Sequence, residues 1–501
     1  MKKKLVDKDM RIAQLEDEVK RLQAMIDTLT AVNLQLHASI ESLNGTILEL
    51  NQTISELKEK INKNSRNSSK PPSSDGMDKP PRKRSLRTSS GKPQGGQKDH
   101  PGASLKIDTS KPDKVVDHVA SGCELCPHRE KCRAEADVTD RHYVVDIEFR
   151  KTLVCHQTIR MRSCLLDHTE LEGRFPQGAK APVQYGNMLT AFAVTLNTVG
   201  AMSISRINAV LSDAFDLPVS TGIIPVMVHK CAEGLKDTVN SIRALVIGSL
   251  VVNFDETGVR VNGHNKWIHT ACTEKYTYLS YNQNRGWKGM TEAGVLNVFA
   301  GIAVHDCWKP YWKFEGVTHA VCNAHLLREL NGIKENNPSQ TWAGKFQDLL
   351  LEMLKTVKRM HEKGRDAISR YYHRKFDAKY DELMKLAHEE NPYPDPPPEK
   401  KRGRKKKGKI LALIERLEKY KASVCLFTEN FNVPFDNNQA ERSFRHVRTK
   451  TKVSGCFRTE AGVCDYVTIM SYVGTAQKHG KNAFNAILCA VSGVPESIFS
   501  A

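Results

Sequence analysis

No stretch of this 501-residue chain is apolar over the ~18 residues that a membrane-spanning helix needs. The first ten residues, MKKKLVDKDM, carry charge without an apolar centre, which excludes a secretion signal. Acidic residues are also in short supply. Asp and Glu number 57 against 75 Lys and Arg, leaving a formal charge of +18. An excess of that size points to a polyanionic partner, most often nucleic acid. The 13 cysteines are an odd number scattered over a long chain, which argues against a disulfide framework and for a reducing cytoplasm.

Hydrophobic residues make up 40% of the chain, enough for at least one substantial core. The length allows two to four domains at the usual ~100–200 residues each. The strongest periodic signal runs through Ile12, Leu15, Val19, Leu22, Ile26, Leu29, Asn33, Leu36, Ile40, Leu43, Ile47, Leu50, Ile54, Leu57 and Ile61. With Ile12 as an a position, every a is Ile or Val except Asn33, and every d is Leu. β-Branched a residues with Leu at d favour a parallel two-stranded coiled coil, and one Asn at a fixes its register. We assign residues 1–64 to a dimerising zipper. Residues 65–112, rich in Ser, Pro, Gly, Lys and Arg, read as a flexible basic linker suited to DNA backbone or simply to solubility.

A small module follows at 113–176. Cys123 and Cys126 form C-x-x-C, the spacing by which one tight turn gives two thiolates to a tetrahedral zinc. No second C-x-x-C exists, so the remaining ligands stay open among Cys132, Cys155, His156 and Cys164, or the cysteines are simply reduced thiols of a small β module. The alternating "HYVVDIEF" reads as a strand between two knuckles. Residues 177–243 become helical, with two short apolar helices around "FDLPVST", the second capped by Ser220 or Thr221. That pair is either a DNA-binding helix-turn-helix or an ordinary helical pair packed on the next domain.

From 244 to 281 the pattern is of strands: "ALVIGSLVVNFDE", "VRV", an Asn262-Gly263 turn, "KWIHTACT" and "KYTYLSY". This antiparallel meander carries Asp255 at the end of its first strand. A helical stretch, "KGMTEAGVLNVF", precedes the short strand "AGIAVHDCW", which delivers Asp306 in the same way. A third acid, Glu441, sits in a helix opened by Asp436 or Asn437, with Arg442 beside it and Arg445 and Arg448 one and two turns on. Alone, such an acid is a rung in a surface salt-bridge ladder. With Asp255 and Asp306 it completes a set of hard oxygen donors for Mg²⁺ or Mn²⁺, and the arginines would grip phosphates. The stretch between Asp306 and Glu441 far exceeds one crossover and holds amphipathic helices, so 332–432 reads as a helical insertion. It is interrupted by a proline hinge and by eight basic residues among the ten from Lys400 to Lys409.

Taken in order, "NSSKPPSSDG", the C-x-x-C module, "FDETGVRV", "GIAVHDCW", "CNAHLLREL" and "DNNQAERSFRHVR" resemble the insertion-sequence 66 family of transposases over nearly the whole chain. The resemblance implies an α/β ribonuclease H-like catalytic domain at 244–455, followed by C-terminal helices at 456–501. It implies an Asp, Asp, Glu triad at Asp255, Asp306 and Glu441, holding two Mg²⁺ or Mn²⁺ ions that cut and join DNA strands. Arg328 is implied to lie near that site. His325 either serves phosphate, pairs with Cys322 as a zinc ligand, or is a buried core histidine. Expected partners are double-stranded transposon-end and target DNA, a second copy of the chain, and accessory proteins of the same element, in the nucleoid of a bacterial cytoplasm with no membrane. The competing expectations are a zipper-dimerised zinc regulator with an inert nuclease-like fold, and a plain metal nuclease.

The zipper has a direct test. A fragment of residues 1–65 should sediment as a dimer, and Asn33→Val should raise its melting temperature while admitting higher oligomers. A monomeric wild-type fragment would exclude the zipper.

Overall fold

Between Lys2 and Ile61 the chain has no proline and a single glycine, Gly45, and it forms one uninterrupted helix, α1 (Lys2–Ile61). Its heptad residues are exposed: Ile12, Leu15, Leu29 and Leu43 keep between 48% and 62% of their surface. The computed structural model describes residues 2–64, 110–393 and 408–495, apart from 117, 119–120, 134–137, 139, 146–149, 163–169 and 177–181. Residues 65–109 of the expected linker, Cys164, and residues 394–407, which hold most of the basic run, therefore lie outside the described residues.

After a short helical turn, α2 (Ser121–Glu124), come two-residue strands β1 (Arg160–Met161) and β2 (Leu171–Glu172), then helices α3 (Asn187–Thr198), α4 (Ile204–Phe215), α5 (Ile223–Gly234) and α6 (Lys236–Ile247). The chain divides into two compact units, one of residues 78–184 with 204–223, the other of 1–77, 185–203 and 224–501. In the first, β1 and β2 pair antiparallel with Arg160 opposite Glu172, and the Arg160 guanidinium reaches Glu170 and Glu172, each at 3.2 Å. The strand expected at 142–149 is absent over its described residues 142–145. Val144 and Val145 are 92% and 61% exposed, so the alternation has neither a ladder partner nor a face to bury. The two helices flanking "FDLPVST" fall in different units.

The second unit is built on a mixed five-stranded sheet of order β5-β4-β3-β6-β7. Strands β3 (Val251–Val261), β4 (His264–Cys272) and β5 (Thr277–Asn282) form the antiparallel meander. Asn262 and Gly263 turn its first hairpin with φ of 47° and 76°, the left-handed pair that a two-residue type I′ turn requires. The first strand differs from expectation at both ends. Residues 244–247 belong to α6, whose buried Val239, Ile242 and Val246 recur at helical spacing, and the helix ends at Gly248. At the far end "VRV" continues β3 to Val261, so Asp255 lies inside the strand. A short apolar run cannot be assigned to helix or strand by periodicity alone.

Helix α7 (Trp287–Glu292) is half the expected length. Strands β6 (Ile302–His305) and β7 (Thr318–Val321) then run parallel to β3 and to each other. Helices α8 (Asn323–Asn336), α9 (Thr341–His361), α10 (Arg370–Glu390), α11 (Lys409–Lys419) and α12 (Lys421–Glu429) form the insertion. Trp342, Phe346, Leu349, Leu350 and Met353 make the buried stripe of α9, and they share one core with β6, β7 and α8. Helices α13 (Asn438–Ser443), α14 (Arg445–Ser454), α15 (Glu460–Lys478) and α16 (Ala483–Val491) close the chain. Phe444, Val447, Tyr466, Val467 and Met470 of this group pack on Val259, Ile268 and Leu279 of the meander as a second core.

The outer edge of the meander is closed by side chains. Ser471 and Thr475 of α15 accept the N–H groups of Leu279 and Thr277 at 2.9 and 3.0 Å, and Lys478 donates to the carbonyls of Thr273 and Tyr276 at 2.6 and 2.8 Å. A covered edge cannot recruit a further strand. β3 serves both cores, Val251 packing on the first and Val259 and Val261 lying in the second. Among the described residues no helix is long and apolar enough to cross a membrane.

Candidate active site

Parallel pairing sets Val251 opposite Ile302, Val252 opposite Ala303 and Asn253 opposite Val304. Carried two residues further, that register brings Asp255 level with Asp306, the residue just past the end of β6. Each acid is steadied by one backbone group: Asp255 Oδ1 accepts the N–H of Glu256 at 2.9 Å, and Asp306 Oδ1 accepts the N–H of Trp308 at 3.2 Å.

Glu441 arrives from the far end of the chain, and a buried asparagine clamp holds it there. Asn437, at the N-cap position of α13, spends its side chain on β3. Its Nδ2 donates to Phe254 O at 2.7 Å, and its Oδ1 accepts from Asn253 Nδ2 at 2.8 Å. Its N–H donates to Cys322 Sγ at 3.1 Å, tying α13 to the start of α8 as well. Asp436 Oδ1 accepts the Asn438 N–H at 3.0 Å and so opens the helix. One turn on, Glu441 Oε1 stands 3.8 Å from His325 Nε2 and 3.7 Å from Arg328 Nη2, within ion-pair reach but beyond hydrogen-bond length. His325 Nδ1, Asn323 Oδ1 and Gln439 Oε1 are buried there without a hydrogen-bond partner among the described residues.

Glu256, next to Asp255, has both oxygens engaged. Oε1 accepts from Arg285 Nε and Nη2 at 3.1 and 3.0 Å, and Oε2 accepts from Tyr311 Oη at 2.8 Å. The Arg285 guanidinium itself lies 4.1 Å from the Trp308 ring centroid and 4.9 Å from that of Trp267.

The electrostatics follow from this crowding. Burial, with the charges of Glu256, Asp306 and Glu441, raises Asp255 well above the usual carboxylate range. Burial also raises Asp306, against the pull of His325, the Trp308 N–H and Arg285. Burial and the Asp306 charge push Glu256 up to about 7, although Tyr311 and Arg285 favour its charged form. His325 is lowered by burial and by Arg328. Mutually repelling carboxylates, all hard oxygen donors, fit a divalent cation of the Mg²⁺ type in kind. As they stand, no three His, Cys, Asp or Glu side chains among the described residues converge closely enough to hold one ion.

A scan against known families matches residues 182–464 to the transposase IS66 family, more than half the chain. The chain belongs to the IS66 transposase family. A second match, to a family of unknown function (DUF6444), covers residues 6–106, and no curated protein matches. In this IS66-family chain Asp255 and Asp306 come level across the β3–β6 junction, and Glu441 stands within ion-pair reach of His325 and Arg328. The arginines after Glu441 behave differently from expectation. Phe444, fully buried against the meander, interrupts the helix, so Glu441 lies on α13 while Arg445 and Arg448 lie on α14. Arg442, Arg445 and Arg448 are exposed and make no ion pair among the described residues, so no salt-bridge ladder forms with Glu441. Cys322 is buried, and its Sγ accepts the Asn437 N–H. In the small module, the Cys126 N–H bonds Cys123 O at 3.4 Å in a tight turn, with Cys123 and Cys132 exposed. Nothing in the sequence marks Asn253, Arg285 or Tyr311 as site residues, and it offers Asn437 only as a residue to open the helix of Glu441.

Because Asp255 has a raised pKa in the fold, its protonated form is favoured there, and stability is lost as pH rises through the folded value. With EDTA present, Asp255→Asn should therefore raise the melting temperature near pH 8, with the gain fading toward about pH 4, where an unfolded Asp also protonates. Glu256→Ala should lower stability at neutral pH by roughly 1–3 kcal/mol, because it leaves the Tyr311 hydroxyl and the Arg285 guanidinium without their acceptor. Melting curves across pH that show Asp255→Asn destabilising throughout would overturn this assignment of strain.

Proposed function

We propose that this transposase cuts transposon ends and joins them to target DNA, with Asp255, Asp306 and Glu441 as the acids that hold two Mg²⁺ or Mn²⁺ ions. The observation that carries this reading is the β3–β6 register, carried past the end of β6, by which two half-buried, mutually repelling aspartates stand level at the junction of the strands. An antiparallel meander flanked by parallel strands, with the acids at their junction, supports a ribonuclease H-like description of the sheet. Bound ions would activate the attacking oxygen and stabilise the leaving one. The protein's own part is positional. Asn437 holds α13 on β3, His325 and Arg328 orient Glu441, and Arg285 with Tyr311 keeps Glu256 turned from the ions.

The exposed Arg442, Arg445 and Arg448, together with the +18 net charge, support contact with DNA phosphates. The exposed seam of α1 supports pairing with a second copy of the chain, which would bring two transposon ends together. We further propose that Cys123, Cys126 and Cys132, with Cys164, hold a structural Zn²⁺, that accessory proteins of the element take part, and that the protein works in the bacterial cytoplasm at the nucleoid.

Incubation with transposon-end DNA, a target plasmid and Mg²⁺ separates the alternatives. Joined products are expected and should vanish with Asp306→Asn. Cut but unjoined DNA would indicate a plain nuclease, and a shifted band alone an inert regulator. Arg445→Gln should weaken binding to all sequences and flatten the salt dependence by roughly one unit of slope. An unchanged slope would remove Arg445 from the DNA surface.

A further inference from the structure

Three of the chain's five tryptophans lie on the segments around Arg285: one on β4, one at the start of α7 and one in the loop that follows Asp306. Trp267 lies on β4, Trp287 at the start of α7, and Trp308 two residues beyond Asp306, whose carboxylate holds the Trp308 backbone N–H. Arg285 fills the space between the Trp267 and Trp308 rings and is tied to Glu256, which fixes the loop before α7 against the acids. A Cβ at Gly286 would touch Trp308 at 3.9 Å, so the two loops pack closely. The Arg285 sandwich accounts for Trp267 and one side of Trp308. It leaves Trp287 unexplained: that indole is 48% exposed, with Lys313 Nζ 5.8 Å from its ring centroid. Indole surface left open among exposed cations, at the edge of a DNA-cutting site, matches what an unpaired base needs: a π-face for the ring and charge for its phosphate.

We propose that Trp287 and Trp308, framed by Arg285 and Lys313, form a stacking platform for an unpaired nucleobase of the DNA strand lying beside the acids. This rests on the DNA-cutting reading of Asp255, Asp306 and Glu441. The platform recognises a base by its ring and not by its edge, so it takes any sequence that is frayed or splayed, and it contributes nothing to an intact duplex. It selects DNA whose strands have opened at the point of attack.

The test compares two probes of equal length and charge, a twelve-residue oligothymidylate and a twelve-residue abasic phosphodiester, binding to the full chain in EDTA. Basic segments elsewhere in the chain contribute equally to both, so the ratio isolates stacking. The wild type should prefer the oligothymidylate by about five- to thirtyfold. The double variant Trp287→Ala/Trp308→Ala should bring the ratio near one while abasic binding stays unchanged. Trp287→Phe/Trp308→Phe, which keeps the rings, should retain most of the preference and guards against a folding defect. Equal binding of both probes by the wild type would overturn the platform, and so would an alanine variant that keeps the preference or a phenylalanine variant that loses it. No metal is present, so these outcomes are independent of strand cleavage. A preserved ratio with failed cleavage would sink the acid assignment instead.

Discussion

Three backbone pairs, Val251 with Ile302, Val252 with Ala303 and Asn253 with Val304, join the antiparallel half of the sheet to its parallel half, and the candidate site hangs from them. Because side chains repeat every second residue along a strand, a slip of one place would send Asp255 to the opposite face and leave Asp306 without a neighbour. The register is protected from both sides. The insertion helices bury β6 and β7 in one core, α14 and α15 bury the meander in the other, and the hydroxyls of Ser471 and Thr475 seal the outer edge.

The same junction concentrates charge that the fold has little means to relieve. Asp255 is raised by burial and by three neighbouring carboxylates, while Glu256 alone receives a full set of partners in Arg285 and Tyr311. That asymmetry separates two adjacent acids: Glu256 has both oxygens engaged by side chains, while Asp255 accepts one backbone N–H, that of Glu256. Strain kept at one point of an otherwise well-packed core is characteristic of functional sites. The neutral asparagine clamp through Asn437 brings Glu441 close without adding a counter-charge that would compete for the carboxylates.

Much of this was legible in the residues themselves, where the signal was local. The unbroken heptads predict a single long helix, Asn262-Gly263 predicts its hairpin, and the apolar run before Asp306 predicts the short strand β6. What escaped depended on distant contacts. Asn437 meets Asn253, and Arg285 meets Glu256, only after folding, and neither pairing has a spacing that could reveal it. Residues 244–247 suit helix or strand equally, and burial of Val246 decided for helix. The pattern around Glu441 is continuously helical, yet Phe444 is drawn into the meander core and divides it, which moved Arg445 and Arg448 onto a separate helix.

If Asp255, Asp306 and Glu441 act as one set of ligands, they must be coupled through the ion they share. Calorimetric titration of Mn²⁺ into the full chain and into the single variants Asp306→Asn and Glu441→Gln measures this without any DNA. Both variants should lose the same high-affinity Mn²⁺ binding, although the two residues lie on different halves of the fold. Undiminished Mn²⁺ affinity in Glu441→Gln would contradict a three-acid site and leave Glu441 as the partner of His325 and Arg328 alone.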